Sequence, residues 1–256
     1  MVEYPVKRTV ERMWNVIRYE QVASTNEVCK ELAARGADDT AVTARVQTAG
    51  KGRLGRSFQS PEGGLYLSAL WRSCGSGELL RVTPMAAVAV CRAVERLCGA
   101  QCGIKWCNDV VLAGRKLCGI LTESQLRPDG GAEWLVVGIG VNVGQTAFPA
   151  DIADTATSLA LCGYKVDRDA LALAILAELD GLREALAHPE AWRAEYRARC
   201  VNIGKAVRVL RGDEVRQARA LDIDGEFGLT VAYEDGSRET VRSGEVSVRG
   251  LYGYIE

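Results

Sequence analysis

A glycine-rich basic loop is the part of this sequence best suited to chemistry on an anion. Residues 50–56 read Gly-Lys-Gly-Arg-Leu-Gly-Arg, and no acidic residue occurs between Arg45 and Glu62. Glycine lets the backbone bend and approach a ligand closely. Backbone N–H groups and cations together neutralise phosphate. The loop therefore predicts a site for phosphate or another anion.

Three common phosphate-binding motifs do not explain this loop. Its glycines have the spacing of a dinucleotide fingerprint, which needs a helix directly after it, but residues 57–64 indicate a loop and residues 65–71 a strand. A P-loop needs Ser or Thr after Gly-Lys, whereas Gly52 follows Lys51. The HRD and DFG segments of protein kinases are missing from the sequence. At this point a specific anion site and a merely solvated basic loop both remain open.

The overall composition excludes several classes of function. The chain has 256 residues and a net charge of −1, so it has no overall attraction for nucleic acid. No apolar run reaches transmembrane length, and the N-terminus has no apolar signal region, so we expect a cytoplasmic protein without a membrane partner. Nine cysteines without a Cys-x-x-Cys pair, and His188 as the only histidine, predict reduced buried thiols, no protein metal site and no histidine-based catalysis.

Apolar patterning predicts mixed strands and helices before residue 203. The predicted strands are 15–22, 40–47, 65–71, 104–112, 117–124 and 134–143. The predicted helices are 24–35, 84–98, 168–186 and 190–199. Residues 104–124 are expected to form one hairpin that turns at 113–115. Ser24 followed by Glu27 predicts a capping box at the first helix.

After residues 202–204 the sequence pattern changes to short apolar runs separated by turns. Short predicted strands follow at 207–210, 218–223, 229–233 and 245–248. Glycine-containing turn signals separate them, at 211–213, 224–226 and 234–236. This spacing predicts a small barrel. We therefore expect a domain at 1–202 and a second domain at 203–256.

Four further segments carry polar residues or glycines at the ends of predicted elements. They are Ser-Thr-Asn at 24–26, Lys-Trp-Cys-Asn-Asp at 105–109, Arg-Lys-Leu-Cys-Gly-Ile-Leu-Thr-Glu at 115–123 and Gly-Ile-Gly-Val-Asn-Val at 138–143. Taken singly, the first could be only a helix cap and the third only a hairpin with solvated cations. Glycines inside a strand weaken it unless another group approaches the backbone closely.

Together, these segments resemble the biotin–protein ligases, which attach biotin to carboxylase carrier domains. The shared patterns are S-T-N, Q-x-A-G-x-G-R-x-G-R, K-W-x-N-D, R-K-x-x-G-I-L-x-E and G-x-G-x-N, in the family's order across residues 24–142. The resemblance implies an α+β fold with a mixed-sheet biotin/lipoate ligase-like catalytic domain and a small C-terminal SH3-like β-barrel. About fourteen residues precede the first predicted strand, which is too few for a three-helix DNA-binding unit, so we expect the ligase-only type.

The resemblance also implies a mechanism and roles for individual residues. Biotin and ATP form biotinyl-adenylate, with Mg²⁺ bridging phosphate oxygens, and the biotinyl group then passes to a lysine of a biotin carboxyl carrier domain. Lys116 and Arg53 are implied as the catalytic cations. The implied biotin-binding residues are Ser24, Thr25, Asn26, Gln47, Gly50, Lys51, Gly52, Arg53, Lys116 and Gly119. The implied ATP and adenylate residues are Lys51, Arg53, Arg56, Phe58, Asn108, Asp109, Lys116 and Asn142.

Three positions depart from the family pattern. Lys51 stands where arginine is common, which keeps the charge but loses the planar fork. Cys107 replaces a usual proline, and Phe58 replaces a tryptophan that often lies over the adenine. These changes bear on how tightly the intermediate is held. For the transfer step, Asp109 is the candidate general base.

Other functions remain as alternatives. A lipoate–protein ligase would be expected to show a serine- and glycine-rich segment with a histidine after it, which this chain lacks. A non-catalytic nucleic-acid-binding protein would need a basic barrel with exposed aromatics, but residues 203–256 hold many acids. A catalytically inactive biotin-binding protein is a third alternative. We expect no nucleic-acid partner, and a homodimer is left open.

Overall fold

The computed structural model describes residues 14–242 and, for the backbone alone, 247–250. The strands of the larger sheet are β1 (Asn15–Val22), β2 (Thr40–Gln47), β3 (Leu65–Cys74), β4 (Gly103–Lys105), β5 (Asp109–Leu112), β6 (Arg115–Leu126) and β7 (Ala132–Val141). The helices are α1 (Thr25–Ala34), α2 (Leu79–Cys98), α3 (Arg168–Arg183) and α4 (Glu190–Arg199). A short 3₁₀ turn, Arg53–Gly55, lies inside the glycine-rich loop.

The larger sheet is mixed, with the strand order β1-β2-β3-β7-β6-β5-β4. β1 and β2 are parallel, and α1 is the crossover helix that a parallel pair requires. The other neighbouring strands are antiparallel. This order brings the glycine-rich β6–β7 pair and the end of β2 to the same side of the sheet as the start of α1.

The two faces of the sheet are covered by different helices. Leu70 of β3 and Val136 of β7 pack with Cys29 of α1 in a small cluster. Their neighbours in sequence, Trp71 and Leu135, belong to the main core with α2. Successive side chains of a strand point to opposite faces, so α1 lies on one face and α2 on the other. α3 packs against α2 and also contacts β3.

The C-terminal part is a five-stranded antiparallel sheet, where the sequence predicts a small barrel with four strands. Its strands are β8 (Ala206–Arg211), β9 (Glu214–Ile223), β10 (Leu229–Tyr233), β11 (Arg238–Val241) and β12 (Ser247–Gly250). The order is β11-β10-β9-β8-β12. Across the described residues, β11 and β12 form the two edges and do not pair, so the sheet is not closed into a full barrel.

One turn of this sheet packs against residues that precede the sheet in the chain. The ring of Phe227 stacks on Trp192 with centroids 4.5 Å apart and meets Tyr196 edge-on at 5.3 Å. Its carbonyl accepts a 2.9 Å hydrogen bond from Trp106 Nε1. Trp106 N donates to Asn202 Oδ1 at 2.7 Å. The turn after β9 therefore supports the segment just before β5.

Several predicted elements are confirmed with the same bounds: β1, β2, α4 and β10. The prediction of one strand over 104–112 is wrong, because a turn at 106–108 separates β4 from β5. In that turn the Trp106–Cys107 peptide is cis, and the backbone N–H of Trp106 bonds to Asn202 instead of a strand partner. The predicted turn at 113–115 is confirmed in position but is one residue shorter, because Arg115 begins β6 and only Ala113 and Gly114, both with positive φ, form the turn.

Other boundaries differ from the prediction. α2 begins at Leu79, five residues before the predicted start at Pro84, so this proline lies inside the helix. The capping box is not formed, because Ser24 makes no side-chain cap bond among the described residues and Glu27 pairs with lysines instead. The strand Arg238–Val241 was not predicted. The predicted strand 245–248 lies partly outside the described residues.

The cysteines agree with the prediction of reduced, mostly buried thiols. All nine are free, and only Cys98 and Cys162 are partly exposed. Burial raises the pKa of Cys74 and Cys200 to about 11. Within the residues that the structure describes, no helix has the length and apolar character needed to cross a membrane.

Candidate functional site

A ligand pocket lies where the start of α1, the glycine-rich loop and strands β6 and β7 meet. It encloses about 500 Å³ of space between atoms, part of which is open to solvent. The site residues expected from the sequence that line it are Ser24, Thr25, Asn26, Gln47, Lys51, Gly52, Arg53, Phe58, Asn108, Lys116 and Gly119. The fold thus gathers residues from four separated segments around one cavity.

Thr25 and Gln47 form one polar wall of the ligand pocket. Gln47 Oε1 accepts hydrogen bonds from Thr25 N at 2.9 Å and from Thr25 Oγ1 at 3.1 Å. Gln47 Nε2 donates to Ser60 Oγ at 2.9 Å, and Ser60 Oγ donates to Phe58 O. These bonds fix which end of the Gln47 amide faces Thr25. The second hydrogen on Gln47 Nε2 is left for a ligand carbonyl.

Asn26 lies deeper in the same wall. Its Nδ2 donates to Glu123 Oε2 at 2.7 Å and to Leu121 O at 3.3 Å. Ser68 Oγ lies 2.6 Å from Asn26 Oδ1. A Cβ added at Gly138 would lie 2.2 Å from Asn26 Oδ1. Gly138, the first glycine of the 138–143 segment, therefore leaves the space that the Asn26 side chain occupies.

Phe58 closes the pocket from the loop side. A Cβ at Gly140 would lie 2.5 Å from its ring, and a Cβ at Gly119 would lie 3.0 Å from it. The loop that carries Phe58 is itself tightly packed, because a Cβ at Gly50 would lie 2.4 Å from Phe58 O. The glycines of β6 and β7 thus provide a flat surface against which an aromatic ring packs.

Two cations that line the pocket, Arg53 and Lys116, contact the 107–109 segment. Arg53 Nη1 lies 3.0 Å from Cys107 Sγ and 3.1 Å from Asn108 Oδ1. Its Nη2 is buried and has no hydrogen-bond partner among the described residues. Lys116 Nζ pairs with Asp109 at 2.7 Å and lies 5.7 Å from the Phe58 ring centre. An anionic group placed here would meet both cations.

The other two predicted cations lie further out. Lys51 Nζ is 2.5 Å from Glu27 Oε1, and Lys30 shares the same carboxylate at 2.8 Å. Hydrogen bonds from Lys30 and then Lys51 lower the pKa of Glu27. Arg56 is exposed and lines neither the pocket nor the cleft described next, so the structure does not bring it to the site.

An adjoining cleft shares Lys116 and Phe58 with the ligand pocket. Its other residues are Ser57, Gln59, Asn142, Phe148, Asp151, Ile152, Thr155 and Ala156. Asn142 is buried, and its Nδ2 donates to Thr157 O at 2.9 Å while its Oδ1 accepts from Gln145. Lys116 N donates to Thr155 O at 2.8 Å. The segment 148–156 thus lies beside the Lys116 hairpin and completes a two-part cavity.

Three expected site residues do not line either space, and several lining residues were not predicted. Gly50 packs behind Phe58, Asp109 stands beside Lys116, and Arg56 lies outside. The residues predicted from the sequence do not include Tyr66, Ile120, Leu121 and Ile139 in the pocket, or the 148–156 wall of the cleft. Ile120 and Leu121 stand inside the 115–123 segment, which is a usable signal. Residues 148–156 carry no comparable pattern.

Within the described part of the chain, no three His, Cys, Asp or Glu side chains are grouped so that they could hold a metal ion. Asp151 is the only carboxylate that lines the adjoining cleft among the described residues. A hard divalent cation needs several oxygen ligands. Most of its ligands here would have to come from a bound phosphate group.

The sequence matches two protein-family descriptions. Residues 19–142 match the biotin/lipoate A/B protein ligase family, and residues 203–249 match the biotin protein ligase C-terminal domain. The chain is 33% identical over 233 residues to the bifunctional ligase/repressor BirA of Bacillus spizizenii, covering 88% of this chain and 71% of that protein. It is 34% identical over 249 residues to a biotin–[acetyl-CoA-carboxylase] ligase of Mycobacterium tuberculosis, covering 88% and 86%.

A solved structure shares the architecture. The fold superposes on a biotin protein ligase from Aquifex aeolicus, in complex with biotin and ATP, with a TM-score of 0.80 and 30% identity. The match covers 92% of this chain and 99% of that chain. The similarity therefore extends over the mixed sheet and the C-terminal sheet together.

Proposed function

The chain belongs to the biotin protein ligase family, and we propose that it forms biotinyl-5′-AMP from biotin and ATP and transfers biotin to a lysine of a carboxyl carrier protein. One observation carries this proposal. The ligand pocket and the adjoining cleft meet at Lys116 and Phe58, and Arg53 also lines the ligand pocket. Two substrates that react at one point need two spaces that meet at one point.

The polar wall is proposed to hold the ring system of biotin. Thr25, Asn26 and Gln47 present hydrogen-bonding groups, and Ser24 offers a hydroxyl that has no side-chain bond within the described residues. A bicyclic urea combines N–H donors with a carbonyl acceptor, which suits this mixture of groups. The Phe58 ring, which packs on Gly119 and Gly140, offers an apolar wall for the rest of the ligand.

The junction is proposed to bring the biotin carboxylate to the α-phosphate of ATP. Both groups are anionic, so their approach is opposed until cations neutralise them. Lys116 and Arg53 supply two positive charges there, and the buried Nη2 of Arg53 has a hydrogen to donate. The attack forms a bond from a carboxylate oxygen to phosphorus and releases pyrophosphate. Lys51, and Arg56 after loop movement, are proposed to bind the departing phosphates.

The adjoining cleft is proposed for the nucleotide. Phe58 offers a ring for stacking on a base, and Asn108 and Asn142 stand on either side of the junction. When bound, Mg²⁺ would neutralise phosphate charge, with Asp151 and Asn142 as the protein oxygens available in the cleft. Closure of the glycine-rich loop would exclude water from the reactive mixed anhydride.

The second step transfers the acyl group to a lysine amine of the carrier protein. The amine attacks the acyl carbonyl and AMP leaves with the bonding electrons. Asp109 is the proposed base, since its Oδ1 lies 2.7 Å from Lys116 Nζ beside the junction. We also propose that residues 1–202 form the catalytic domain and residues 203–256 the C-terminal domain, since the two matched segments fall on either side of that boundary.

The test is ATP–pyrophosphate exchange with biotin or lipoate as the only acid. Biotin-dependent exchange that falls about 10²–10³-fold in Lys116→Ala supports the proposal, because removing one group that stabilises transition-state charge typically costs this much. Lys165→Ala is the matched control, since Lys165 is an exposed lysine that lines neither space. Exchange with lipoate alone would overturn the choice of substrate, and no exchange with either acid would overturn the ligase function.

A further inference from the structure

The glycine-rich loop is attached to two different walls of the ligand pocket. On one side, Arg53 Nη1 donates to Asn108 Oδ1 at 3.1 Å, in the turn before β5. On the other side, Lys51 Nζ lies 2.5 Å from Oε1 of Glu27, in the first turn of α1. The start of α1 and Asn108 both line the pocket. The loop therefore connects these two walls.

The glycine-rich loop is also bonded to itself. Lys51 and Ser57 form an antiparallel bridge, and Gly52 N donates to Arg56 O at 2.7 Å. Arg56 N in turn donates to Arg53 O at 3.3 Å. Because of these bonds we expect the loop to move as a unit. A displacement of Lys51 would then also displace Arg53, which lines the pocket two residues later.

Lys51 depends on Glu27 for its ion pair. Among the described residues Glu27 is the only carboxylate that pairs with Lys51, and both side chains are partly exposed. Glu27 Oε1 also pairs with Lys30 Nζ at 2.8 Å, but Lys30 has a second partner in Glu123 at 2.8 Å. Loss of the Glu27 charge would therefore leave Lys30 paired and release Lys51.

The charges around Lys51 change during the proposed reaction. Lys51 is proposed to bind the departing phosphates, and an ammonium group can pair with phosphate in place of a carboxylate. Once pyrophosphate has left, Glu27 is the carboxylate that can pair with Lys51 among the described residues. The reactive mixed anhydride is still in the pocket at that stage, so the loop has to stay closed.

We propose that Glu27 is a positioning residue that pairs with Lys51 after pyrophosphate leaves and so holds the glycine-rich loop closed over biotinyl-5′-AMP. Glu27 lines neither the ligand pocket nor the adjoining cleft, so it acts through Lys51. The inference rests on the proposed function and deepens it, because it names a residue that retains the intermediate until the carrier lysine arrives.

The experiment measures the dissociation rate of biotinyl-5′-AMP from the full chain at about 0.05 M and about 1 M salt. At the lower salt, Glu27→Gln is expected to release it about two- to fivefold faster than wild type, the range for losing a partly exposed ion pair. At the higher salt the pair is screened in wild type as well, so the two rates should converge. Glu31→Gln is the matched control, because Glu31 is exposed one turn further along α1. Its rates should equal those of wild type.

Lys51→Met tests whether Glu27 acts through Lys51. In that background, adding Glu27→Gln should not raise the dissociation rate further, because the pair is already lost. A Glu27→Gln rate equal to that of wild type at the lower salt would overturn the inference. An increase that persists at the higher salt or in the Lys51→Met background would overturn it too. These results leave the ligase function intact, whereas failure of wild type to bind biotinyl-5′-AMP would overturn the proposed function.

Discussion

Replacing Gly138 by alanine should disrupt biotin binding far more than its small size suggests. The added Cβ would lie 2.2 Å from Asn26 Oδ1 and 2.9 Å from its Cγ and Nδ2. Asn26 is held from three sides, by Glu123, Leu121 O and Ser68, so it cannot move without breaking those bonds. A hydrogen bond to a charged partner is worth about 1.5–3 kcal/mol and a neutral one about 1 kcal/mol. Losing the bonds to Glu123 and Leu121 therefore costs about 3 kcal/mol.

The assay is the Kd of biotin, with the unfolding midpoint measured in parallel. A cost of about 3 kcal/mol corresponds to roughly a hundredfold weaker binding, or to an equivalent loss of stability if β7 shifts instead. Gly140→Ala is the comparison, because its Cβ would meet the Phe58 ring at 2.5 Å. That half-buried ring belongs to a loop and can move aside, so biotin binding should weaken less than tenfold. A Gly138→Ala protein with wild-type affinity and midpoint would refute the reasoning.

Three further predictions concern stability and reactivity. Gly181→Ala, in α3 with no atom within 4 Å of the new Cβ, should stabilise the fold by about 0.5 kcal/mol in chemical denaturation, since alanine favours a helix over glycine; a lower midpoint would contradict this. Although burial acts to raise the pKa of Asp224, hydrogen bonds from Arg242 and from backbone N–H groups lower it overall. Its stabilising contribution is therefore present above the unfolded value of about 3.9 and is lost as pH falls through the folded pKa. Asp224→Asn should be less stable than wild type at neutral pH and lose less stability on acidification, and parallel pH profiles would contradict this. Iodoacetamide should label only Cys98 and Cys162 in the native protein, because the other seven thiols are buried; mass spectrometry showing rapid labelling of Cys29 or Cys91 would argue against this packing.

The parts of the fold that the sequence predicts best are those with local patterns. β1, β2 and α4 have alternating or helical apolar spacing and clear ends, and their bounds are confirmed. The start of α2 was misplaced because Pro84 usually marks a first helical turn, whereas buried packing here extends the helix before it. The break between β4 and β5 depends on Asn202 and Phe227, nearly a hundred or more residues away. The pattern of apolar and polar residues within 104–112 does not indicate contacts with such distant residues.

The residues of the candidate site also fall into two groups: those that a local sequence pattern predicts and those that it does not. Residues of the pocket come from glycine-rich and polar segments that are visible in the sequence, such as 24–26 and 115–123. The wall at 148–156 reaches the site only because Lys116 N bonds to Thr155 O and Lys116 O accepts from Thr157 N. Backbone bonds are independent of side-chain type, so no residue pattern indicates them. Ser68 was invisible for another reason: a lone serine within an apolar strand is indistinguishable from an ordinary core position.

The turn that carries Phe227 limits how this protein can be recombined with its relatives. A chimera that joins the proposed catalytic domain to the C-terminal segment of another ligase would also replace the Phe227 ring packed on Trp192 and the carbonyl that accepts a hydrogen bond from Trp106 Nε1. Two residues after Trp106, Asn108 contacts Arg53. A poorly matched graft would therefore disturb the position of Arg53, one of the two proposed catalytic cations, as well as the contact between the two sheets. In an engineered fusion, the Trp106 segment and the 224–228 turn should both be taken from the same parent protein.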